Sequence, residues 1–86
     1  MKKFFVYILV CSDKNRTLYT GQTARLAERV LEHMRGDGGR YTRGRLPVVL
    51  VHAEEYPTRG DAMRRERQIK KMTKKQKEGL IRDGPN

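Results

Sequence analysis

The sequence predicts an α+β domain: a small three-stranded antiparallel sheet flanked by helices, in the order β-β-α-β-α-α. Three observations carry this prediction. Two continuously apolar runs, Phe4 to Cys11 and Val48 to Ala53 (interrupted only by His52), have the composition of buried strands. A polar turn, Ser12 to Arg16, returns the first run into a second strand, Thr17 to Gln22, and so makes a hairpin. Three further stretches begin with helix-capping residues and continue at helical period. With 86 residues the chain is expected to form one domain over 1–86, without linker or internal repeat. A domain this size buries one modest core, so a site is expected in a groove on one face.

Taken in order, the first run is apolar at every position, the mark of a central strand covered on both sides. Phe4, Val6, Ile8 and Val10 should face one way, and Phe5, Tyr7, Leu9 and Cys11 the other. In the second strand Tyr19 shares a face with Thr17 and Gly21. Thr23 suits an N-cap, which places a helix over Ala24 to Arg35, stopped by Gly36. Ala27, Val30, Leu31 and Met34 form its apolar stripe, and Arg25, Arg29 and His33 form a ridge beside it. Gly36 to Arg45, with four glycines, Arg40, Arg43 and Arg45, and Tyr41 at its centre, reads as a mobile basic loop. Its arginines can fork onto phosphates, or they can simply keep an ordinary loop soluble. Pro47 opens the third strand, and Glu54 to Pro57 form an acidic exit. Thr58 with Asp61 starts a helix over Arg59 to Lys71, and Thr73 with Gln76 starts the last helix, which ends near Gly84.

Charge narrows the partners. Twenty Lys and Arg against ten Asp and Glu give a formal net charge of +10. Such a surface favours polyanions through long-range attraction and counterion release, so nucleic acid is the expected partner. The plain alternatives are a solubilising surface or an acidic protein partner. Cys11, the single cysteine, lies in an apolar strand and reads as a buried structural thiol; no disulfide framework can form, which fits a cytoplasmic location. The run from Phe4 to Cys11 is too short to span a membrane and lacks a signal-peptide cleavage pattern, so no membrane association is expected.

One residue conflicts with its surroundings. On a helical wheel of the second long helix, Ala62 and Ile69 centre the apolar arc, flanked by Met63 and Met72, and Glu66 falls inside it. Arg64, Arg65, Arg67, Gln68 and Lys71 point elsewhere. A carboxylate on a core-facing stripe is costly to desolvate unless it finds a partner. That partner can be an arginine, for instance Arg29, in a structural ion pair, or a metal held in a groove against the sheet. His33 and His52 lack the other ligands of a metal-binding constellation. His52 reads as a packed or strand-end residue; His33, on the arginine ridge, can accept a proton or bond a phosphate. Tyr7 and Tyr19 are by default large packing residues with hydrogen-bonded hydroxyls.

Together these residues resemble the GIY-YIG nuclease superfamily, and most closely its small stand-alone UPF0213 group. Phe5-Val6-Tyr7 stands for the first motif and Tyr19-Thr20-Gly21 for the second. Arg29 matches the family's helix arginine, His33 the histidine one turn on, and Glu66 its metal-binding glutamate. Tyr41 to Arg45, Arg65-Glu66 and Ile69 to Lys71 also look like that group, so the resemblance runs from Phe4 to about Met72. The glycine of the first motif is Phe5 here, and the asparagine that many family nucleases carry beyond the glutamate's helix has no counterpart in Thr73 to Arg82.

The resemblance implies a GIY-YIG-like fold and a metal-dependent endonuclease acting on DNA, branched or single-stranded, in repair. It implies one divalent cation, Mg²⁺ or Mn²⁺, on Glu66, weakly held without substrate. Tyr7 becomes the proton acceptor for the attacking water, assisted by His33, and its phenol, ordinarily near a pKa of about 10, must then be lowered by Arg29, the metal or both. Tyr19 positions water or phosphate, and Arg29 holds the phosphate bidentately. Arg25, Arg40, Arg43, Arg45, Lys70 and Lys71 are the expected nucleic-acid contacts. The missing asparagine and the net charge motivate an alternative, a non-catalytic nucleic-acid-binding module on the same fold, and a third reading is an RNA or acidic-protein binder. No base-reading element is evident, so specificity is expected from DNA shape or a protein partner.

Overall fold

A computed structural model describes residues 2–84. Strand β1 (Phe4–Cys11) is the centre of a three-stranded sheet of order β2-β1-β3, with β2 (Leu18–Thr23) and β3 (Val48–Tyr56) both antiparallel to it. Its two apolar faces separate as the period of two requires. Tyr7, Leu9 and Cys11 pack with Val30 of helix α1 (Leu26–Met34), and Val6 and Ile8 pack with Ala62 and Ile69 of helix α3 (Arg59–Lys70). Leu80 and Ile81 of helix α4 (Lys74–Asp83) extend the second cluster. The sheet is therefore a middle layer between α1 and the pair α3 and α4. Cys11 is fully buried, and burial pushes its thiol up from the ordinary value, as suits a structural cysteine.

The helix starts follow their caps. Thr58 accepts from the Asp61 amide, and Thr73 and Gln76 form a complete capping box. Thr23 does not cap α1. It ends β2, paired with Phe5, and its hydroxyl accepts from the Arg25 amide, so the helix begins only at Leu26. The buried face of α1 also differs from the predicted stripe. Val30 and His33 are buried and Leu26 is packed against the core, whereas Leu31 and Met34 are 51% and 45% exposed. An imidazole takes the inward position because both of its nitrogens find partners there.

Two further segments depart from the prediction. The glycine- and arginine-rich loop contains a one-turn helix, α2 (Arg40–Arg43), whose Thr42 is buried. Strand β3 runs three residues past Ala53, since Glu54 and Tyr56 point inward instead of forming an exit. It carries a bulge at Val51: Ile8 opposes His52 and Leu9 opposes Leu50.

Glu54 explains the longer strand. Its carboxylate accepts from Arg65 Nε and Nη2 at 2.8 and 3.1 Å, from the Tyr56 hydroxyl at 2.5 Å and from His52 Nε2 at 2.7 Å. Arg65 thus ties α3 to the sheet, where sequence placed it away from the core. Burial alone would raise the Glu54 pKa, but the bonds from Arg65, Tyr56 and His52 overcome it and hold the carboxyl at about 2. Burial and the bond to Glu54 push the Tyr56 phenol to about 12. Because the folded pKa of Glu54 is depressed, its stabilisation is complete above pH 4.5 and is lost as pH falls towards 2. Urea unfolding at pH 7, 4 and 3 should show an acid-labile component of up to about 3 kcal/mol that Glu54→Gln removes; an unchanged acid limb in that variant would assign the loss to other carboxylates.

Candidate active site

The first face of the sheet brings four of the predicted residues together. Tyr7 and Tyr19 have ring centroids 6.5 Å apart, and the His33 ring lies 5.8 Å from Tyr7 and 5.3 Å from Tyr19. Tyr7 is the pivot. It sits opposite Gly21 in the β1–β2 ladder, and its ring crosses that glycine. A Cβ on Gly21 would lie 2.5 Å from the Tyr7 hydroxyl oxygen and 2.6 Å from Cζ. This is the physical reason for a glycine two residues after Tyr19: only a bare backbone leaves the Tyr7 phenol its path over β2. Gly21→Ala is therefore expected to cost about 1–3 kcal/mol from overpacking, read by thermal melting, and to displace the Tyr7 hydroxyl from His33, read as a shift of the His33 ring resonances.

The Tyr7 hydroxyl contacts His33 Nε2 at 3.0 Å, and His33 Nδ1 contacts the Thr42 hydroxyl at 2.8 Å, both buried. Burial, and then the Arg29 charge, lower the His33 pKa, so the ring is neutral at pH 7. A neutral ring has one N–H. With that proton on Nδ1, donated to Thr42, Nε2 is free to accept from Tyr7. The loop is docked on this histidine: a Cβ on Gly38 would meet His33 Nδ1 at 2.3 Å, and the Gly38 carbonyl accepts from Arg29 Nη2 at 2.8 Å. The segment predicted to be mobile is thus a wall of the cluster, with Thr42 and Gly38 as its working residues.

Arg29 does not pair with Glu66. Its Nη1 donates to Glu32 at 2.9 Å, and Glu32 holds the guanidinium charged. Glu32 and Gly38 occupy two of its five N–H groups, and the guanidinium also lies close enough to Tyr7 to interact with its hydroxyl. The Tyr7 phenol is not lowered. Burial raises its pKa most, Tyr19 and Glu66 add to this, and the pull of Arg29 does not overcome them. Glu66 lies on α3 with its side chain 19% exposed, within 3.4 Å of Lys70 one turn on. It is close enough for its charge to disfavour a Tyr7 phenolate. Among the described residues no three His, Cys, Asp or Glu side chains cluster as a metal cage.

The other predicted basic residues spread outwards. Arg25 is exposed and pairs with Glu28; Arg40, Arg43 and Lys71 are exposed; Lys70 is drawn to Glu66. Arg45 pairs with Asp13 at 3.5 Å and lies 4.1 Å over the Tyr41 ring. Thr42, Gly38 and Glu32 were missed from sequence. The signal for Thr42 was slight: a single hydroxyl residue among arginines, nine positions after a histidine. Asn86 lies outside the described residues. No helix among the described residues is long and apolar enough to cross a membrane.

A tyrosine pair, a glycine cradle beneath one of them, and an arginine and histidine from the next helix thus lie together on one face of the sheet. The family model for the GIY-YIG catalytic domain matches residues 3–79, and the chain belongs to that family, which is of nuclease type. Within it the chain is similar to UPF0213 proteins. That of Natronomonas pharaonis is 48% identical over 79 residues, covering 92% of this chain and 91% of the relative. That of Staphylococcus epidermidis is 44% identical over 84 residues, 98% of this chain and all of the relative. The solution NMR structure of a Bacillus halodurans UPF0213 protein superposes with a TM-score of 0.58 at 39% identity, over 92% of this chain and 82% of that one. A second NMR structure, from E. faecalis, gives 0.63 at 35% identity, over 96% and 86%.

Proposed function

We propose that the chain is a metal-dependent endonuclease that hydrolyses phosphodiester bonds in DNA, branched or single-stranded, in repair. The observation that carries this reading is the contact of the Tyr7 hydroxyl with a buried, neutral His33 beside the Arg29 charge. That arrangement can move a proton next to a bound phosphate.

Hydrolysis needs an activated water, neutralisation of developing charge and help for the leaving oxygen. Glu66 suits a hard cation: it is half-buried, offers only oxygen, and has one exposed lysine as partner. A single carboxylate leaves most of the coordination to water and phosphate, which fits Mg²⁺ or Mn²⁺ held weakly without DNA. Such a cation, when bound, screens the phosphoryl charge and makes a coordinated water more acidic. The remaining work falls to the chain. Arg29 holds the non-bridging oxygens with the N–H groups that Glu32 and Gly38 leave free. Tyr19 positions the water or the phosphate. Since its phenol stays neutral, Tyr7 takes a proton from the attacking water as it passes its own to His33 Nε2, and the Nδ1–H to Thr42 holds the ring in register. The water oxygen forms a bond to phosphorus, the ester P–O bond breaks, and the leaving oxygen is protonated from solvent.

The raised Tyr7 pKa, with no asparagine between Thr73 and Arg82, favours a second reading, a binding module without turnover. Protein purified over two orthogonal columns should cut labelled branched or single-stranded DNA with Mg²⁺ or Mn²⁺, stop on addition of EDTA, and resume when cation is restored. Salt-sensitive DNA binding without cleavage in any cation would establish the module instead.

A further inference from the structure

A groove beside the tyrosine cluster takes no part in the steps above. It has a volume of about 280 Å³ and is lined by Asn15, Thr17, Leu18, Tyr41, Lys74 and Lys77. It thus joins the β1–β2 turn, α2 and α4. Among the described residues its only charges are the two lysines, and no carboxylate lines it. The Lys74 ammonium donates to the Asn15 carbonyl, which closes the groove on one side without neutralising the charge. Tyr41 is 44% exposed, a large aromatic surface left open to water.

That ring is held in place. Its centroid lies 5.6 Å from Tyr19, with the planes 31° apart, so it continues the aromatic row that begins at His33 and Tyr19. The Arg45 guanidinium covers it at 4.1 Å, and Arg45 is itself fixed by the Tyr41 carbonyl at 2.8 Å and by Asp13. A braced aromatic loses little freedom when a ligand packs on it. An exposed aromatic and two lysines lining one groove, one ring away from the site, match the chemistry of a nucleotide with its base unstacked. A base held in a duplex cannot offer that surface.

We infer that this groove binds an unpaired nucleotide of the substrate strand next to the scissile phosphate, with its phosphate on Lys74 and Lys77 and its base on Tyr41. The inference rests on the nuclease reading for the identity of the strand, but its test needs no turnover. Fluorescence anisotropy in EDTA would compare a labelled single-stranded oligonucleotide with a blunt duplex of equal length. The double variant Lys74→Gln/Lys77→Gln should weaken single-strand binding about tenfold, flatten its log–log salt slope by about 1.4, and change duplex binding by no more than about twofold. Lys74→Arg/Lys77→Arg should keep the affinity. Tyr41→Ala, with folding checked by circular dichroism, should weaken single-strand binding by about fivefold or more. Unchanged single-strand affinity in the double variant, or an equal loss on duplex, would overturn the inference. Failure of the nuclease reading would register separately, as absence of cation-dependent cleavage by the unmodified chain.

Discussion

Glu66→Gln is expected to lower DNA cleavage by about 10³-fold while leaving DNA affinity within about twofold. Glutamine keeps the size and hydrogen-bonding reach of the side chain and removes the charge on which a divalent cation depends. The fold should tolerate it. Among the described residues Glu66 has only the exposed Lys70 as an ion-pair partner, at 3.4 Å, and such pairs contribute about 0–1 kcal/mol. Affinity should survive because phosphate contacts by lysine and arginine dominate it. Single-turnover cleavage and anisotropy on the same preparation separate the two quantities, and a thermal melt within a few degrees of the parent excludes unfolding as the cause. Cleavage that persists in Glu66→Gln would show that this carboxylate is not the ligand.

Tyr7→Phe should reduce cleavage by about 10²–10⁴-fold, the usual worth of a positioned proton-transfer group. Phenylalanine still crosses Gly21 and fills the same core position, so the fold remains. The cost to stability is about 1–3 kcal/mol, because His33 Nε2 loses its partner. The pH profile distinguishes how Tyr7 acts. Its pKa is raised and that of His33 is lowered. If the proton ends on His33, the rate of the unmodified chain is flat between pH 7 and 8 and falls only in acid, below the ordinary histidine value of about 6.5. A rate that climbs tenfold per pH unit through 8 and 9 would mean instead that a Tyr7 phenolate is the base.

Much of the fold was legible because it depends on local pattern. The continuous apolar run of β1 required cover on both faces, and the Thr58 and Thr73 caps marked the starts of α3 and α4. Tyr7, Tyr19, Arg29 and His33 were drawn together only by the resemblance to the GIY-YIG family, since pattern alone marked the tyrosines as packing residues; the structure sets the four on one face of the sheet. The errors share a cause: polar residues that earn burial through partners distant in sequence. Hydropathy placed Leu31 and Met34 inside and left His33 on a ridge, since it cannot register the bonds to Tyr7 and Thr42, 26 and 9 residues away. It ended β3 at Ala53 because the four bonds to Glu54 include two from Arg65, eleven residues on. It made the Gly36 to Arg45 segment mobile because Gly38 and Thr42 dock on a surface that exists only after α1 forms. Arg29 by itself does not lower the Tyr7 pKa for a related reason: an adjacent arginine is visible in sequence, and the depth of burial that outweighs it is not.

On the proposed function, Glu66 and the Tyr7–His33 pair form one cation-dependent site. The most direct measurement is paramagnetic broadening by Mn²⁺ in NMR spectra of the labelled chain with a short single-stranded DNA, in the unmodified protein and in Glu66→Gln. The Glu66, Tyr7 and His33 resonances should be lost selectively at low Mn²⁺, and all three should be recovered in the variant. Broadening that spares those residues, or that survives Glu66→Gln unchanged, would contradict it.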